Sequence, residues 1–294
     1  MVEQAIPLQR RESRILRLLK GVALIRESVV GMIGLTLIVI WVTAALFADV
    51  LAPFPPNETI MPMAAPGSEA PGGGVFWLGT DHIGRDILSR IIYGSRRVLT
   101  FAPLATLCAY AVGIPMGLAA GYRRGRTDDI LSFIANVILS FPVLVLYVII
   151  IATIGASAVN ILVAVTFASA PGIFRIVRGL ALDLRNREYV FAAETRGESP
   201  WRIMMIEILP NARGPLIVDA CLRLGYVIIT IGVLGFLGLG LPPPDPDWGG
   251  MINETRQMAM SFPHMTIFPG IAISSLVLGF NLLADGLREV SLRD

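Results

Sequence analysis

Charged residues, cysteine and histidine are all scarce in this sequence of 294 residues. Only 16% of the chain is Asp, Glu, Lys or Arg, whereas soluble domains carry about 25%. Hydrophobic residues make up 54% of the chain, and the mean hydropathy is +0.70. This composition excludes an ordinary soluble domain and predicts an all-α polytopic membrane protein.

The scarcity of cysteine and histidine limits the sites that the chain could build. Cys108 and Cys221 both fall in apolar segments, which argues against a disulfide framework. His82 lies near Asp81 and Asp86, but these residues offer too few ligands for a typical metal centre. We therefore predict that the chain holds no metal site.

Two further absences concern the source of energy. The sequence has no glycine-rich loop ending in Lys-Ser or Lys-Thr, the motif that cradles the phosphates of ATP. We therefore expect that the chain is not an enzyme and binds no cofactor of its own. We also expect no charged residue near the middle of a membrane span, whereas ion-driven carriers usually need such groups. Energy for transport would then come from another subunit.

Long apolar segments predict about six transmembrane helices, because about 20 apolar residues cross a bilayer. The first span, within 28–51, follows six basic residues in segment 1–27, which we predict to be an amphipathic helix on the inner membrane surface. The charge-free stretch from residue 130 to residue 174 is too long for one span, so it should hold two, with an outer turn at Gly155, Ser157 and Asn160. The other predicted spans cover residues 98–122, 220–244 and 257–284.

The distribution of arginine predicts the orientation in the membrane. Basic residues cluster at the N-terminus and again in a loop at 179–213, and cytoplasmic segments carry such an excess. We therefore predict that both termini are cytoplasmic and that segment 52–97 is extracytoplasmic. The core domain, 98–294, would carry the loop at 179–213 on its cytoplasmic side.

The predicted extracytoplasmic segment 52–97 begins rich in proline and glycine and then becomes regular. Four apolar residues between Ile87 and Ile92 fall on one face of a helix. We therefore predict a helix along the outer membrane surface, with Thr80 or Asp81 as its cap.

A charged stretch between the fourth and fifth spans carries signals of helix boundaries. Seven arginines and five acids between residues 175 and 213 keep it out of the lipid core, because each charge there costs roughly 2.5–3.5 kcal/mol. Gly197 is a natural helix stop, and Ser199 with Pro200 starts a new helix. We expect Pro210 to end that helix, so that two short helices meet at a sharp bend.

This stretch resembles the coupling-helix signature of ABC importer permeases through the residues Ala192, Ala193, Gly197, Leu209 and Pro210. Ala192 and Ala193 are small, which permits close approach by another protein. The second helix carries apolar side chains between Trp201 and Ile208 that could pack into a cleft. The chain departs from the family pattern at Phe191, where glutamate is usual, and at Glu207, where an apolar residue is usual.

Two other stretches resemble the same family. One of them runs from Phe236–Gly240 through several prolines and an aspartate to Trp248, and this order of residues resembles a motif of the family. We predict that Trp248 anchors the chain at the membrane interface. The resemblance covers most of residues 76–294 and implies the type I ABC importer permease fold. A signature of the peptide and nickel branch, in the subunit called the C-type permease, resembles Leu78-Gly79-Thr80-Asp81 and Gly84-Arg85-Asp86.

The resemblance also implies roles for individual residues. In this family the charged loop docks into a groove on a separate ATPase subunit, and the outer segment lies where a substrate-binding protein docks. Coupling to the ATPase would involve Ala192, Ala193, Glu194, Gly197, Ser199, Pro200, Leu209 and Pro210. Docking of the binding protein would involve Gly79, Thr80, Asp81, Gly84, Arg85 and Asp86.

The function that the resemblance implies is that of a permease subunit in an ATP-driven ABC importer of the bacterial inner membrane, forming half of a pathway for di- or oligopeptides. Its partners would be a second homologous permease, two ABC ATPase subunits or domains that bind ATP and Mg²⁺, and an extracytoplasmic binding protein, with no nucleic acid. Nickel or other metal chelates and glutathione are alternative substrates. An ion-coupled secondary transporter and a membrane scaffold are alternatives from other classes.

Overall fold

The computed structural model describes residues 26–240 and 244–291, and these residues are mostly helical. The predicted amphipathic segment 1–27 lies outside the described residues except for its last two. A short antiparallel ribbon pairs β1 (Ser68–Glu69) with β2 (Val75–Phe76). The described α-helices are α1 (Val29–Leu46), α2 (Ala48–Leu51), α3 (Ile87–Arg123), α4 (Gly125–Leu139), α5 (Val143–Ile154), α6 (Ala158–Leu184), α7 (Glu188–Thr195), α8 (Pro200–Arg202), α9 (Leu209–Phe236), α10 (Trp248–Thr255) and α11 (His264–Ser291).

The number of long apolar helices agrees with the prediction. In the part of the chain that the structure describes, five helices are long and apolar enough to cross a membrane: α1, α3, α6, the continuous run Pro200–Phe236, and α11. The bent pair of α4 and α5 raises the number to six when it is counted as one span. The predicted all-α polytopic fold is therefore confirmed.

The charge-free stretch from 130 to 174 contains parts of two apolar segments separated by a turn: the bent pair of α4 and α5, and α6. α4 and α5 form the first and meet at an angle of 85°, because Pro142 at the break cannot donate a backbone hydrogen bond. The turn that follows begins at Gly155, whose φ is 89°. Ser157 then caps α6 by accepting the backbone N–H of Asn160 at 3.2 Å.

α3 changes the predicted boundary between the outer segment and the second span. The expected surface helix and the span at 98–122 form one helix of 37 residues, about 56 Å long, because no helix breaker separates them. Its cap is Asp86, whose carboxylate accepts the Ser89 N–H at 2.7 Å. The prediction that Thr80 or Asp81 caps this helix was wrong.

α3 and α6 run parallel and pack along a stripe of glycines. The stripe on α3 consists of Gly113, Gly117 and Gly121, spaced four residues apart on one face. These glycines lie against Ile173, Val177 and Ala181 of α6, in that order. Small residues on this half of α3 therefore let the two helices approach closely.

α3 runs from one end of the helical bundle to the other. α1 and α11 are antiparallel, since Ser28 Oγ donates to Glu289 Oε2 at 2.7 Å and Trp41 Nε1 donates to Ser275 Oγ at 3.0 Å. Ser28, Glu289 and the last turn of α3 lie at one end of the bundle. The residues that precede α3 lie at the other end.

Two sequence predictions about polar and aromatic residues were wrong. Asp219 and Arg223 lie in the middle of α9, although no charge was expected near the middle of a span; the helix begins at Leu209, well before the predicted start of the span. Trp248 is only 1% exposed and donates to the Ile91 carbonyl at 3.0 Å. It is thus a core residue rather than an interface anchor.

Candidate functional site

The segment 188–210, here called the elbow, turns the chain at the end of α6. α7 ends at Thr195, and Gly197, two residues further on, has a φ of 76°. The Gly197 N–H donates to the Glu194 carbonyl at 2.9 Å, and the Glu198 N–H donates to the Ala193 carbonyl at 3.2 Å. This pair of bonds is the Schellman arrangement, in which a left-handed glycine closes a helix. Gly197 therefore stops the helix as predicted.

The second helix of the elbow starts as predicted but does not end where expected. Ser199 caps it and Pro200 occupies its first position. The π-helical segment Ile203–Ile208 then leads into α9, with the Leu209 N–H bonded to the Met204 carbonyl. Pro210 lies at the start of α9, where its missing N–H costs little. The prediction that Pro210 ends the helix was therefore wrong, and the elbow continues directly into a membrane helix.

The elbow has one buried and one exposed face. Its buried face, at most 2% exposed, packs on the ends of α3 and α6 and consists of Val190, Ala193, Ile203, Met204 and Ile208. Its exposed face carries Phe191, Trp201 and Ile206, which are 53%, 59% and 57% exposed. Ala192 is exposed whereas Ala193 is fully buried within the chain. Of the two small residues, only Ala192 can therefore approach another protein.

A polar contact ties the elbow to the end of α3. The Tyr122 hydroxyl, in the last turn of α3, donates to Glu194 Oε1 at 2.9 Å. Glu198 pairs with Arg196 at 2.9 Å and with Arg202 at 3.3 Å. These arginines are largely exposed, so their pairs add little stability. The Tyr122 contact, in contrast, would carry a displacement of α7 directly to a membrane helix.

Residues 52–86, here called the long loop, cover the opposite end of the bundle. Gly79 and Gly84 have φ values of 79° and 96°. A Cβ at Gly79 would lie 2.5 Å from the Ala64 carbonyl oxygen, and one at Gly84 would lie 2.9 Å from the Met61 carbonyl carbon. Only glycine both adopts a positive φ readily and has no Cβ to clash. Glycine at these two positions therefore lets the loop fold back tightly on itself.

The residues that were predicted to dock a binding protein are all buried in this structure. They are Gly79, Thr80, Asp81, Gly84, Arg85 and Asp86. Direct contact with a partner is open instead to exposed neighbours, such as Trp77 at 64% and Ile83 at 41%. The six buried residues hold the long loop to the helical core, and their part in docking stays a prediction.

Arg85 connects the long loop to α10. Its Nε donates to Asp81 Oδ2 at 2.6 Å, and its Nη2 donates to Glu254 Oε2 at 2.5 Å. Arg90 lies 4.0 Å from Asp81 and 3.9 Å from Glu254, so two arginines balance two carboxylates. Sequence reasoning missed Glu254 because it lies 169 residues from Arg85, and no local pattern signals such a pair.

Two buried carboxyl groups at this end cap helices. Burial raises the pKa of Asp86 above its ordinary value, although hydrogen bonds from Ser89 oppose the shift. Burial also raises the pKa of Asp247, the cap of α10, to about 6, against hydrogen bonds from Gly250 and the nearby charge of Arg90. Both caps therefore carry an electrostatic cost that their donors only partly offset.

One group of side chains at this end has the composition of a metal site. Asp81, His82 and Glu254 bring possible ligand atoms within 4.8 Å of one another. Arg85 already bonds to both carboxylates, and its guanidinium repels a cation at the same place. The geometry therefore favours an ion-pair network over a metal centre.

Replacing Arg85 with alanine should lower the free energy of unfolding by about 3 kcal/mol, because it leaves buried Asp81 without its main partner. The measurement is the thermal unfolding midpoint of the purified protein. Arg97→Ala is the matched control: its pair with Asp245 is 42% and 41% exposed, so the loss should stay within about 1 kcal/mol. Equal losses in the two variants would contradict a stabilising network.

Comparison with known protein families finds one that matches most of this chain. The family model described as "binding-protein-dependent transport system inner membrane component" matches residues 113–293. That range includes the last third of α3, the whole elbow and every long helix that follows α3.

Relatives of known sequence extend the likeness over most of the chain. The dipeptide transport system permease protein DppC of Alkalihalophilus pseudofirmus is 37% identical over 90% of this chain and 86% of its own length. DppC of Escherichia coli is 39% identical over 88% and 87% of the two chains. The glutathione transport system permease protein GsiD of Pectobacterium atrosepticum is 42% identical over 72% and 71%.

A solved structure supports the fold independently of sequence. A chain of the MetNI methionine ABC transporter in inward-facing conformations has a TM-score of 0.56 at 20% identity, covering 70% of this chain and 96% of that chain. At this identity the likeness concerns the fold alone, and it confirms the predicted fold of an ABC importer permease.

Proposed function

We propose that this chain, which belongs to the family of binding-protein-dependent transport system inner membrane components, is the permease subunit of an ATP-driven importer and forms half of its pathway for di- or oligopeptides. Relatives named for dipeptide and glutathione transport support this substrate class. Dipeptides and glutathione share an amide backbone and free carboxylates, so one pathway could pass either of them.

The main support for this function is the exposed face of the elbow. Phe191, Trp201 and Ile206 project from a stretch too charged for the lipid core, and each is more than half exposed. Several large apolar side chains exposed on one short segment are typical of an interaction site on a protein surface. We assign this face to an ATPase subunit, which would bind ATP and Mg²⁺. Within the elbow, Ala192 and Glu194 would lie near that subunit, while Gly197, Ser199, Pro200, Leu209 and Pro210 would shape the surface and Ala193 would anchor it.

The remaining partners follow from the two ends of the bundle. An extracytoplasmic binding protein would contact the long loop through Trp77 and Ile83, and a second homologous permease would complete the pathway. Ser28, Glu289 and the elbow share one end of the bundle, and we assign this end, with both termini, to the ATPase side of a bacterial inner membrane. This orientation rests on the excess of arginine near the elbow.

Phe191→Asp and Trp201→Asp should each reduce co-purification of the ATPase subunits at least tenfold, because a central aromatic anchor typically contributes about 2 kcal/mol or more. Trp77→Asp is the matched control, since Trp77 is equally exposed but lies on the long loop. It should keep the ATPase and lose binding-protein affinity instead. Loss of the ATPase from all three variants would argue against a specific elbow contact.

The same preparations distinguish the proposed importer from a secondary transporter. Uptake of a labelled dipeptide should stop when ATP is depleted while the ion gradients are kept. Uptake that persists under these conditions would contradict an ATP-driven importer and favour an ion-coupled carrier. Labelled glutathione is tested in parallel, because uptake of glutathione without uptake of the dipeptide would favour the glutathione alternative.

A further inference from the structure

A charged pair occupies the middle of α9. Arg223 Nε donates to Asp219 Oδ2 at 2.7 Å, and the Tyr110 hydroxyl of α3 donates to the same carboxylate. The Arg223 and Asp219 side chains are 19% and 15% exposed. A charge at the centre of a bilayer costs roughly 2.5–3.5 kcal/mol on insertion scales, and charged residues inside a membrane segment usually line a substrate or ion path.

The guanidinium group extends past Asp219 toward α6. A Cβ at Gly172 would lie 3.0 Å from Arg223 Nη1 and 3.2 Å from Nη2. The two terminal nitrogens therefore rest against the backbone of α6 at a residue without a side chain. Asp219 accepts the hydrogen bond from Nε, and the two terminal nitrogens lie on the side of Gly172.

A cavity of about 340 Å³ lies where Arg223 ends, bounded by α5, α6, α9 and the end of α4. Arg223 is the one charged residue among the described residues that line it, and the hydroxyl-bearing residues Tyr147, Ser169, Tyr226 and Thr230 line it as well. The break between α4 and α5 is at its rim, because Leu139 and Val143 are both lining residues. Interrupted helices at membrane depth are tolerated where they border such a cavity.

The chemistry of this cavity selects one kind of ligand group. A planar guanidinium presents its N–H donors in a fork that matches the two oxygens of a carboxylate. Hydroxyls and apolar walls around a single cationic group suit a small molecule with one acid end and a weakly polar body. The cavity lies within the range of about 300–1,000 Å³ that small-molecule sites occupy.

We propose that Arg223 binds the carboxylate of the transported substrate during its passage through the permease, with Asp219 and Tyr110 as positioning residues. This inference rests on the proposed function and names one contact in the pathway. Asp219 neutralises Arg223 when the cavity is empty, which lowers the cost of burying it. The same counter-charge weakens the hold on an arriving carboxylate, and a substrate in transit must bind weakly enough to leave.

The test uses the complete importer in proteoliposomes, with its binding protein saturated by either of two peptides: a dipeptide with a free C-terminal carboxylate, or the same dipeptide as its C-terminal amide. Arg223→Gln should lower uptake of the free acid at least tenfold and leave uptake of the amide at the wild-type rate. Arg223→Lys should recover part of the loss, because it keeps the charge without the fork. Arg175→Gln, an exposed arginine on α6 bonded to Asn136 at 2.8 Å, is the matched control and should import both peptides normally.

Two results would overturn the assignment. Equal uptake of the free acid by the wild type and Arg223→Gln would show that the guanidinium does not contact the substrate. An equal loss for both peptides, with a lowered unfolding midpoint, would show that the Asp219–Arg223 pair only joins α9 to α3. Failure of the wild-type importer to take up either peptide would instead count against the proposed function.

Discussion

Replacing Gly197 with valine is expected to lower substrate uptake at least tenfold while the protein still inserts into the membrane. Gly197 closes α7 with a φ of 76°. An L-residue in this conformation costs about 1–2 kcal/mol, and a β-branched side chain is stiffer still. A shift of about 1.4 kcal/mol changes a conformational equilibrium tenfold. Because an added Cβ would meet no atom within 4 Å, the cost arises from the backbone alone and changes the shape of the elbow.

Uptake and stimulated ATPase activity of the complete importer measure this effect, and the amount of inserted permease controls for folding. Gly125→Val is the matched control. Gly125 also has a positive φ, 56°, and open space around its Cβ position, but it lies outside the elbow. Because Gly125 is the first residue of α4 and not part of the elbow, the variant should keep its uptake. Comparable losses in both variants would show that backbone strain anywhere in the loops inhibits transport.

The elbow shows what local sequence signals can and cannot predict. The helix stop at Gly197 and the restart at Ser199 and Pro200 depend on neighbouring backbone groups, so the sequence alone predicts them. Whether Pro210 ends the helix depends on the hydrogen bonding of the preceding turn. Here that turn is π-helical, and the helix continues through Pro210. Whether Ala192 or Ala193 faces outward depends on the contact with α3 and α6, which no local pattern reports.

The structure of the long loop is harder to predict from the sequence, because its residues interact with residues that are distant along the chain. The charged residues near Asp81 look like a surface motif when they are read alone. Their burial follows from Glu254, which meets Arg85 across 169 residues. For the same reason the pairing of Asp219 with Tyr110 of another helix is not predictable from α9, although the spacing of Asp219 and Arg223 by one helical turn could have been noticed.

Replacing Gly117 with isoleucine is expected to prevent most of the protein from folding. A Cβ at Gly117 would lie 2.6 Å from the Val177 Cβ and 2.8 Å from the Phe174 carbonyl oxygen. Val177 is fully buried, and a backbone carbonyl cannot move aside as a side chain can. Overpacking of a core costs about 1–3 kcal/mol and more when the backbone must shift. Since total stabilities are about 5–15 kcal/mol, this change should remove a large share.

The yield of monodisperse protein after detergent extraction and the thermal unfolding midpoint measure this loss. Gly179→Ile is the matched control, because Gly179 lies on α6 with nothing within 4 Å of its Cβ position, and isoleucine is a better helix former than glycine. It should unfold at the wild-type temperature or slightly above. An unchanged midpoint for Gly117→Ile would show that α3 and α6 do not pack through backbone contact.

A milder variant, Gly117→Ala, tests whether the glycine stripe passes movement of the elbow to the bundle. Gly121 ends the stripe one residue before Tyr122, which donates to Glu194 of the elbow. A methyl group at Gly117 should separate α3 from α6 less than isoleucine does, so that part of the protein still folds. If the elbow acts on the bundle through this contact, the folded fraction should show less uptake for each ATP hydrolysed. A folded Gly117→Ala protein with the wild-type ratio would place the transmission of force elsewhere, through the continuous helix from Pro200 to Phe236.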